Sequence, residues 1–338
     1  MSNKLAVGAV LLLAAAVPFA ADSFWLNLLT LALIYIPMSM GLTVLFGQTN
    51  LVSFGQGGFF AVGAYVSALL TLERGWNVWA AVLAATVSAT VVGYVIARPV
   101  LRLKGLSLAM ATLAFGQMVF ILVQQLEITG GPVGLSGIPA PSAFGIDFAE
   151  PRNFYWLALV LAAVVYAVSR NLTRSRYGRM FHALAGSEVA SRTVGVNTSA
   201  VKTLAFCYAA TLAGVAGALY AHYFSFISSD TFGLELSLLV VIIVVVGGMR
   251  SLSGAIVGTL LVFLLREYLR SYQEYSELVY GLLLILVFMY APGGVTGTAR
   301  ELWRRLTGPR SRRGGSADGR SSRPTEDVPS TTAEAVNR

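Results

Sequence analysis

The chain has 338 residues, of which 56% are hydrophobic and 12% are charged, and its mean hydropathy is +0.71. Since a soluble domain carries roughly 25% charged residues, this composition excludes an ordinary soluble protein. The net charge of +8 comes from loops beside apolar segments, so it favours membrane topology over nucleic-acid binding. A single cysteine, Cys207, excludes a disulfide framework, and the sequence has no metal-ligand or phosphate-loop motif that would indicate an enzyme.

Apolar segments follow one another along most of the chain. A membrane crossing needs roughly 20 residues, and about ten segments meet that requirement when short or tilted helices are allowed. In chain order, these predicted spans are 5–21, 26–46, 54–72, 77–97, 106–125, 154–170, 203–223, 236–249, 254–268 and 278–291. The first span also resembles a secretory signal, and we favour an uncleaved helix. The eighth and ninth spans are short, which is typical of tilted helices or of helices beside a transport pathway.

The distribution of basic residues predicts the orientation. If both termini lie in the cytoplasm, nearly all Lys and Arg residues lie on the cytoplasmic side, as the positive-inside rule requires. The exceptions are Arg74, Arg152, Arg266 and Arg270. We therefore expect an all-α, polytopic membrane protein with both termini cytoplasmic.

The orientation also assigns the long loops. Residues 1–300 are predicted to form one transmembrane domain, with a cytoplasmic loop at 171–202 and an extracytoplasmic loop at 124–153. Gly and Pro in the second loop predict an ordered, turn-rich cap. Residues 301–338 lack an apolar pattern and are predicted to be a disordered cytoplasmic tail.

The cytoplasmic loop is basic, and its one acid is Glu188. Residues 179–195 are predicted to form a short helix or a helix pair, with Phe181, Leu184 and Val189 as its apolar residues. Such a loop either rests against lipid headgroups or is a docking surface for a soluble partner, as in an ATP-driven importer. Charge alone favours the first interpretation.

Small residues recur at four-residue spacing in the seventh span. They predict close packing of a neighbouring helix rather than direct contact with a substrate. The stripe consists of Ala209, Ala213, Gly217 and Ala221.

Three stretches of the sequence are informative together. The first, at 41–65, reads GLTVLFGQTNLVSFGQGGFFAVGAY. The second spans 101–139, and the third begins SRYGRMFHALAGSEVASRTVGV at Ser175 and continues to His222. Two further segments, VVVGGMRSLSGAIVG and YAPGGVTG, follow. Together they resemble the LivM-type permease subunits of branched-chain amino-acid ABC importers, a family that often has His where this chain has Gln56. The resemblance covers residues 41–297, and only the stretches together are specific.

The resemblance changes the interpretation of the cytoplasmic loop. Permeases of this class carry an E-A-A-x-x-x-G loop that fits a groove on the ATPase. Here Ala190 and Ser191 take the alanine positions, Gly195 takes the glycine position, and Glu188 is displaced by one residue. The residues implied to couple to the ATPase are Tyr177, Gly178, Arg179, His182, Ala183, Glu188, Ala190 and Gly195.

The resemblance also implies the assembly and the activity. It implies a multi-pass subunit of the inner (cytoplasmic) membrane with inverted halves, in contact with lipid and with no nucleic acid. Its implied partners are a second homologous permease, two cytoplasmic ATPases and an extracytoplasmic substrate-binding protein. ATP would be bound by the partner ATPases, and the chain itself would have no catalytic residues, cofactor or metal.

The implied substrates are branched-chain amino acids. Urea or short-chain amides are the alternative within the same transporter class. A secondary carrier is disfavoured, because ion-coupled carriers usually bury a charged residue near the membrane midplane, whereas the acids here lie at span ends.

Two further sets of residues are expected to line the pathway and to pack the helices. Polar residues at the break between the second and third spans, together with one in the fifth, are expected to line the pathway, and interhelical hydrogen bonding is the alternative. This pathway set is Gln48, Asn50, Ser53, Gln56 and Gln117, and the predicted packing set is Ala213, Gly217, Gly254 and Gly258. Arg250 replaces a family glycine and either snorkels to the interface or meets the ATPase.

Overall fold

The computed structural model describes residues 22–270 apart from Phe144, together with Pro18. The predicted spans at 5–21 and 278–291 and the tail at 301–338 therefore lie outside the described residues, Pro18 excepted. Within the described part, seven helices are long and apolar enough to cross a membrane, and one further apolar helix has 17 residues. The protein is thus an all-α, polytopic membrane protein.

The described residues form helices joined mostly by short turns. In chain order, the helices are α1 Ser23–Leu42, α2 Gln56–Leu72, α3 Val78–Val100, α4 Leu106–Gln125, α5 Pro151–Arg174, α6 Arg176–Gly186, α7 Glu188–Thr193, α8 Thr198–Phe224, α9 Leu234–Gly247 and α10 Leu252–Arg270. The end of the helix bundle at which α6 and α7 lie is called the loop end below, and the opposite end of the bundle is called the cap end.

Two helices differ in length from the prediction. Helix α9 has only 14 residues, as its short apolar run indicates. Helix α10 has 19 residues, so the prediction of a second short helix is wrong. The apolar run stops near Arg266, but the backbone continues as a helix because its polar residues can face outward without breaking the i to i−4 hydrogen bonds.

Helix α8 lies at the centre of the bundle and packs against α1, α2 and α3. Its small residues are buried, and a Cβ atom on Gly217 would collide with the carbonyl oxygen of Phe60 in α2. Gly214 faces Ala89 of α3 just as closely. Small side chains on one helix let neighbouring backbones approach, which is how membrane helices gain packing contacts without a hydrophobic driving force.

Helices α9 and α10 form a tight hairpin beside α1. A Cβ atom on Gly258 would collide with the backbone of Ile243 and Gly247, and Gly254 also lies against Gly247. The hydroxyl of Thr259 in α10 donates to the Ser39 hydroxyl in α1 at 3.2 Å. The hairpin is therefore fixed to α1 by a buried hydrogen bond as well as by packing.

The cap end carries the long loop between α4 and α5. It contains β1 (Leu135–Ser136), which pairs antiparallel with β4 (Phe226–Ile227) directly after α8. A second ladder joins β2 (Ser142–Ala143) to β3 (Ile146–Asp147). Ile138 is buried, and its N–H donates to the carbonyl of Ser225 at 3.2 Å. The loop is thus attached to the end of α8 by main-chain hydrogen bonds.

Candidate functional site: the paired helices of the loop end and the break between α1 and α2

Local capping explains why the segment 171–202 folds into two helices. The Ser175 hydroxyl accepts the N–H of Tyr177 and begins α6, and the Ser187 hydroxyl accepts the N–H of Ala190 and begins α7. Serine side chains satisfy N–H groups that a helix start leaves free. Because Ser187 separates the two helices, the chain changes direction there.

Gly195 ends α7. Its φ of +82° lies in the left-handed region, and its N–H donates to the Arg192 carbonyl at 3.0 Å. The N–H of Val196 donates to the Ser191 carbonyl at 3.0 Å, which completes a Schellman motif. A glycine suits this position because a Cβ atom disfavours positive φ.

The predicted coupling residues do not all face the same way. Most are exposed on the surface of α6 and α7, namely Tyr177, Arg179, His182, Ala183 and Ala190. Gly178 is buried, because a Cβ atom there would collide with the carbonyl of Thr173 at the end of α5. Gly178 therefore lets α6 pack against α5.

The apolar residues of this segment are divided between the interior and the surface. Phe181 is 0% exposed and Leu184 is 6% exposed, so they hold α6 against the bundle. Val189 and Val194 are 75% and 76% exposed on and directly after α7. Two apolar side chains, one on α7 and one directly after it, are thus exposed at the surface of the loop end.

Glu188 faces inward. Its carboxylate pairs with Lys202 of α8 at 2.8 Å and with Arg192 at 2.7 Å. The Lys202 side chain is only 8% exposed, whereas that of Arg192 is 63% exposed. The hydrogen bond from Lys202 is the main reason that the pKa of Glu188 lies below its usual value. The carboxylate anchors α7 to the base of α8.

The chain between α1 and α2 is irregular, and most of it is buried. Helix α1 continues as a π-helical turn, Thr43–Gly47, and Asn50 then takes a φ of +58°. Residues 50–55 are not helical, and α2 begins only at Gln56. Non-helical backbone between membrane helices is tolerated where protein buries it or where it lines a cavity.

Neighbouring helices satisfy the backbone of this break. The N–H of Phe54 donates to the Thr112 hydroxyl of α4 at 3.0 Å, and the N–H of Gly57 donates to the Ser237 hydroxyl of α9 at 3.0 Å. The Ser53 hydroxyl accepts the N–H of Gly55 at 3.4 Å. The sequence did not lead us to predict this role for Thr112 or Ser237. Both are polar residues inside apolar helices, and that signal could have found them.

The predicted pathway residues occupy different environments. Gln48, Ser53 and Gln56 are buried, Asn50 is exposed, and Gln117 on α4 is half-buried. The amide oxygen of Gln48 has no hydrogen-bond partner among the described residues. The same holds for both the amide oxygen and the amide nitrogen of Gln56. Buried amides are normally paired, so unpaired ones mark places where a polar group can be received.

A buried histidine connects the cap to the bundle. His222 of α8 is 1% exposed, and its Nε2 lies 2.8 Å from the Ser67 hydroxyl of α2. Its Nδ1 lies 2.7 Å from the carbonyl of Pro139 in the cap. When Nδ1 carries the proton it donates to that carbonyl, and Nε2 then accepts the hydrogen bond from Ser67.

The chain resembles characterised permeases over most of its length. A family model described as "Branched-chain amino acid transport system / permease component" matches residues 24–288. The high-affinity branched-chain amino acid transport system permease protein LivM of Escherichia coli K12 is 36% identical over 324 residues, which covers 89% of this chain and 76% of LivM.

More distant relatives belong to the same class. LivH of Escherichia coli K12 is 28% identical over 80% of this chain and 94% of LivH, and BraD of Pseudomonas aeruginosa is 26% identical with the same coverage. No solved structure matches the chain. With its apolar helices, these matches show a multi-pass protein of the cell membrane. The chain belongs to the family of branched-chain amino acid transport system permease components.

Proposed function

We propose that the chain is one permease subunit of an ABC importer that moves branched-chain amino acids across the cytoplasmic membrane. The observation that carries this proposal is the helix pair α6–α7. Its inner side is anchored by Phe181, Leu184 and Glu188, and its outer side exposes Val189 and Val194. A fixed helix with an exposed apolar face is suited to transmit the motion of a docked ATPase.

The remaining subunits follow from this role. Two cytoplasmic ATPases bind ATP and dock at residues 177–195, a second homologous permease completes the pathway, and an extracytoplasmic protein delivers the substrate. The chain itself needs no cofactor, metal or catalytic residue. The relatives named as permease components of a transport system support this division of labour.

The proposed topology has about ten spans, which fits helices of roughly 20 residues. Seven long helices and the shorter α2 lie in the described residues, and the predicted spans at 5–21 and 278–291 complete the set. Both termini and the loop end face the cytoplasm, and the cap faces outside, where it meets the binding protein. The two halves are inverted relative to each other, and the tail at 301–338 is disordered.

The substrate class is proposed from the chemistry of the break between α1 and α2. Gln56 offers both atoms of its amide and Gln48 offers its amide oxygen; these atoms lie among buried apolar residues and have no hydrogen-bond partners among the described residues. These neutral groups can receive the polar end of an aliphatic zwitterion. A side chain with a second charge would cost several kcal/mol to bury there without a partner ion.

Uptake in a strain that lacks this gene tests the proposal. Leucine, isoleucine or valine uptake should be lost and should return with the complementing gene, whereas lysine and glutamate uptake should not change. Uptake that needs no ATP hydrolysis in reconstituted vesicles would contradict the ABC assignment. Selective loss of urea or amide uptake, with leucine uptake intact, would keep the mechanism and change the substrate.

A further inference from the structure

A cavity at the loop end is lined by basic side chains from separate elements. Its volume is about 260 Å³. Arg170 and Arg174 reach it from α5, His182 from α6, and Arg250 from the turn between α9 and α10. Among the described residues, no acidic side chain lines the cavity and no carboxylate pairs with these three arginines. The cavity therefore concentrates positive charge.

Two further groups make the cavity suitable for an anion. Helix α10 begins at Leu252, which lines the cavity, so the positive end of that helix dipole lies at its wall. Gln48 also lines the cavity and is 4% exposed, and its amide oxygen has no partner among the described residues. A planar amide can turn to present its N–H₂ group to an anion.

The backbone holds this arrangement in place. A Cβ atom on Gly47 would collide with the carbonyl of Met249, so the end of α1 rests directly on the α9–α10 turn. Gly178 packs equally closely against Thr173 and sets α6 beside the end of α5. The basic side chains therefore converge because tight backbone contacts fix the elements that carry them.

The size and position of the cavity favour one source of anion. The cavity volume of about 260 Å³ is many times the space that one water molecule needs, so the cavity has room for a group larger than water. In the proposed orientation the cavity lies where α5 leaves the cytoplasmic side of the membrane, at the level of the lipid headgroups. Basic pockets between membrane helices at this level bind anionic headgroups.

A substrate amino acid fits this cavity poorly. Its carboxylate would be attracted, but its ammonium group would be repelled, because the described residues that line the walls include arginines and no carboxylate. The cavity shares Gln48 with the break between α1 and α2, but it differs chemically from the rest of that break because three arginines also line it.

We propose that this cavity binds the phosphate group of an anionic lipid headgroup and so ties α6 to α5 and to the α9–α10 turn. The inference rests on the proposed orientation and extends it to a lipid site that the transport role does not require. Arginine pairs with phosphate through two parallel hydrogen bonds, which suits a ligand held from several sides.

The test uses the chain purified with its partner permease and ATPases in phosphatidylcholine nanodiscs, with and without phosphatidylglycerol. Native mass spectrometry counts the phosphatidylglycerol molecules that remain bound after transfer to detergent. Replacing Arg250 or Arg170 by Gln should lower retention about tenfold, since each change removes a charge-assisted hydrogen bond. The matched control is Arg102→Gln, an exposed arginine after α3 that does not line the cavity.

A second arm distinguishes a free anion from a lipid. Inorganic phosphate is added to the wild-type complex and to the Arg250→Gln complex, and their thermal unfolding midpoints are compared. A rise in the wild type alone, without bound phosphatidylglycerol, would support the same site with a free phosphate as its ligand. Retention of phosphatidylglycerol by the wild type but not by Arg250→Gln supports the lipid.

Three results would overturn the proposal. One is equal retention in wild type and Arg250→Gln with no effect of phosphate. Another is an equal loss in Arg102→Gln. The third is phosphatidylglycerol binding that is seen only after the ATPases are removed, because this would mean that an ATPase side chain fills the cavity in the intact complex. None of these readouts depends on substrate transport, so a wrong substrate or uptake result would leave this test unaffected.

Discussion

The ion pair between Glu188 and Lys202 is expected to stabilise the docking of α7 against α8. Replacing Glu188 by Gln leaves the ammonium of Lys202, 8% exposed, without its carboxylate partner at 2.8 Å. Losing one partner of a largely buried charged hydrogen bond costs about 2 kcal/mol, which raises the open population of α7 roughly thirtyfold. Hydrogen exchange of the N–H groups of Gly195 and Val196, which close the end of α7, measures that population.

The other cation provides the control. Arg192 pairs with the same carboxylate at 2.7 Å, but its side chain is 63% exposed. An exposed ion pair contributes only about 0.5 kcal/mol, so Arg192→Gln should raise exchange by roughly twofold. If Glu188→Gln exchanges no faster than wild type, or if Arg192→Gln exchanges as fast as Glu188→Gln, then Lys202 is not the anchor.

Three further predictions concern pH, the end of α7 and the packing of α8. The pKa of Glu188 lies below its usual 4.5, so its stabilisation is present above pH 4.5 and is lost as the pH falls from 4.5 through the lowered pKa; the protection factors of the α7 N–H groups, corrected for the intrinsic pH dependence of exchange, should stay constant from neutral pH down to 4.5 and then fall, and this fall should be absent in Glu188→Gln. Gly195→Phe should abolish uptake and ATPase co-purification while the protein stays in the membrane, because φ of +82° disfavours a bulky side chain; Gly195→Asn, which tolerates positive φ better, should retain most activity, and equal losses would refute the backbone explanation. Gly217→Val should reduce the yield of folded protein in detergent by forcing α8 away from Phe60, whereas Gly186→Ala, where a Cβ atom meets nothing, should not; an unchanged yield for Gly217→Val would show that the two helices can separate at no cost.

Hydropathy predicts the membrane helices well because each span is a local property of the chain. The predicted span 106–125 coincides with α4, Leu106–Gln125. The end of α10 was misplaced because the apolar pattern stops before the helix does. The spans at 5–21 and 278–291 remain predictions.

Contacts between distant residues were harder to predict. The pairing of Glu188 with Arg192 follows from helical spacing. The pairing of Glu188 with Lys202 does not, because it depends on how α7 folds back on α8. The hydrogen bond from Gly57 to Ser237 joins residues 180 positions apart. Likewise, Arg250 gave no clear role from the sequence, because its neighbours in the cavity come from α5 and α6.

Helix α8 has a mechanical consequence for the whole protein. Its 27 residues form one uninterrupted rod about 40 Å long. Near one end, Lys202 pairs with Glu188 of α7, and near the other end, Nδ1 of His222 lies 2.7 Å from the carbonyl of Pro139 in the cap. Because α8 is continuous and is attached near both ends, a displacement of α7 would act on the same helix that holds the cap, with no loop in between.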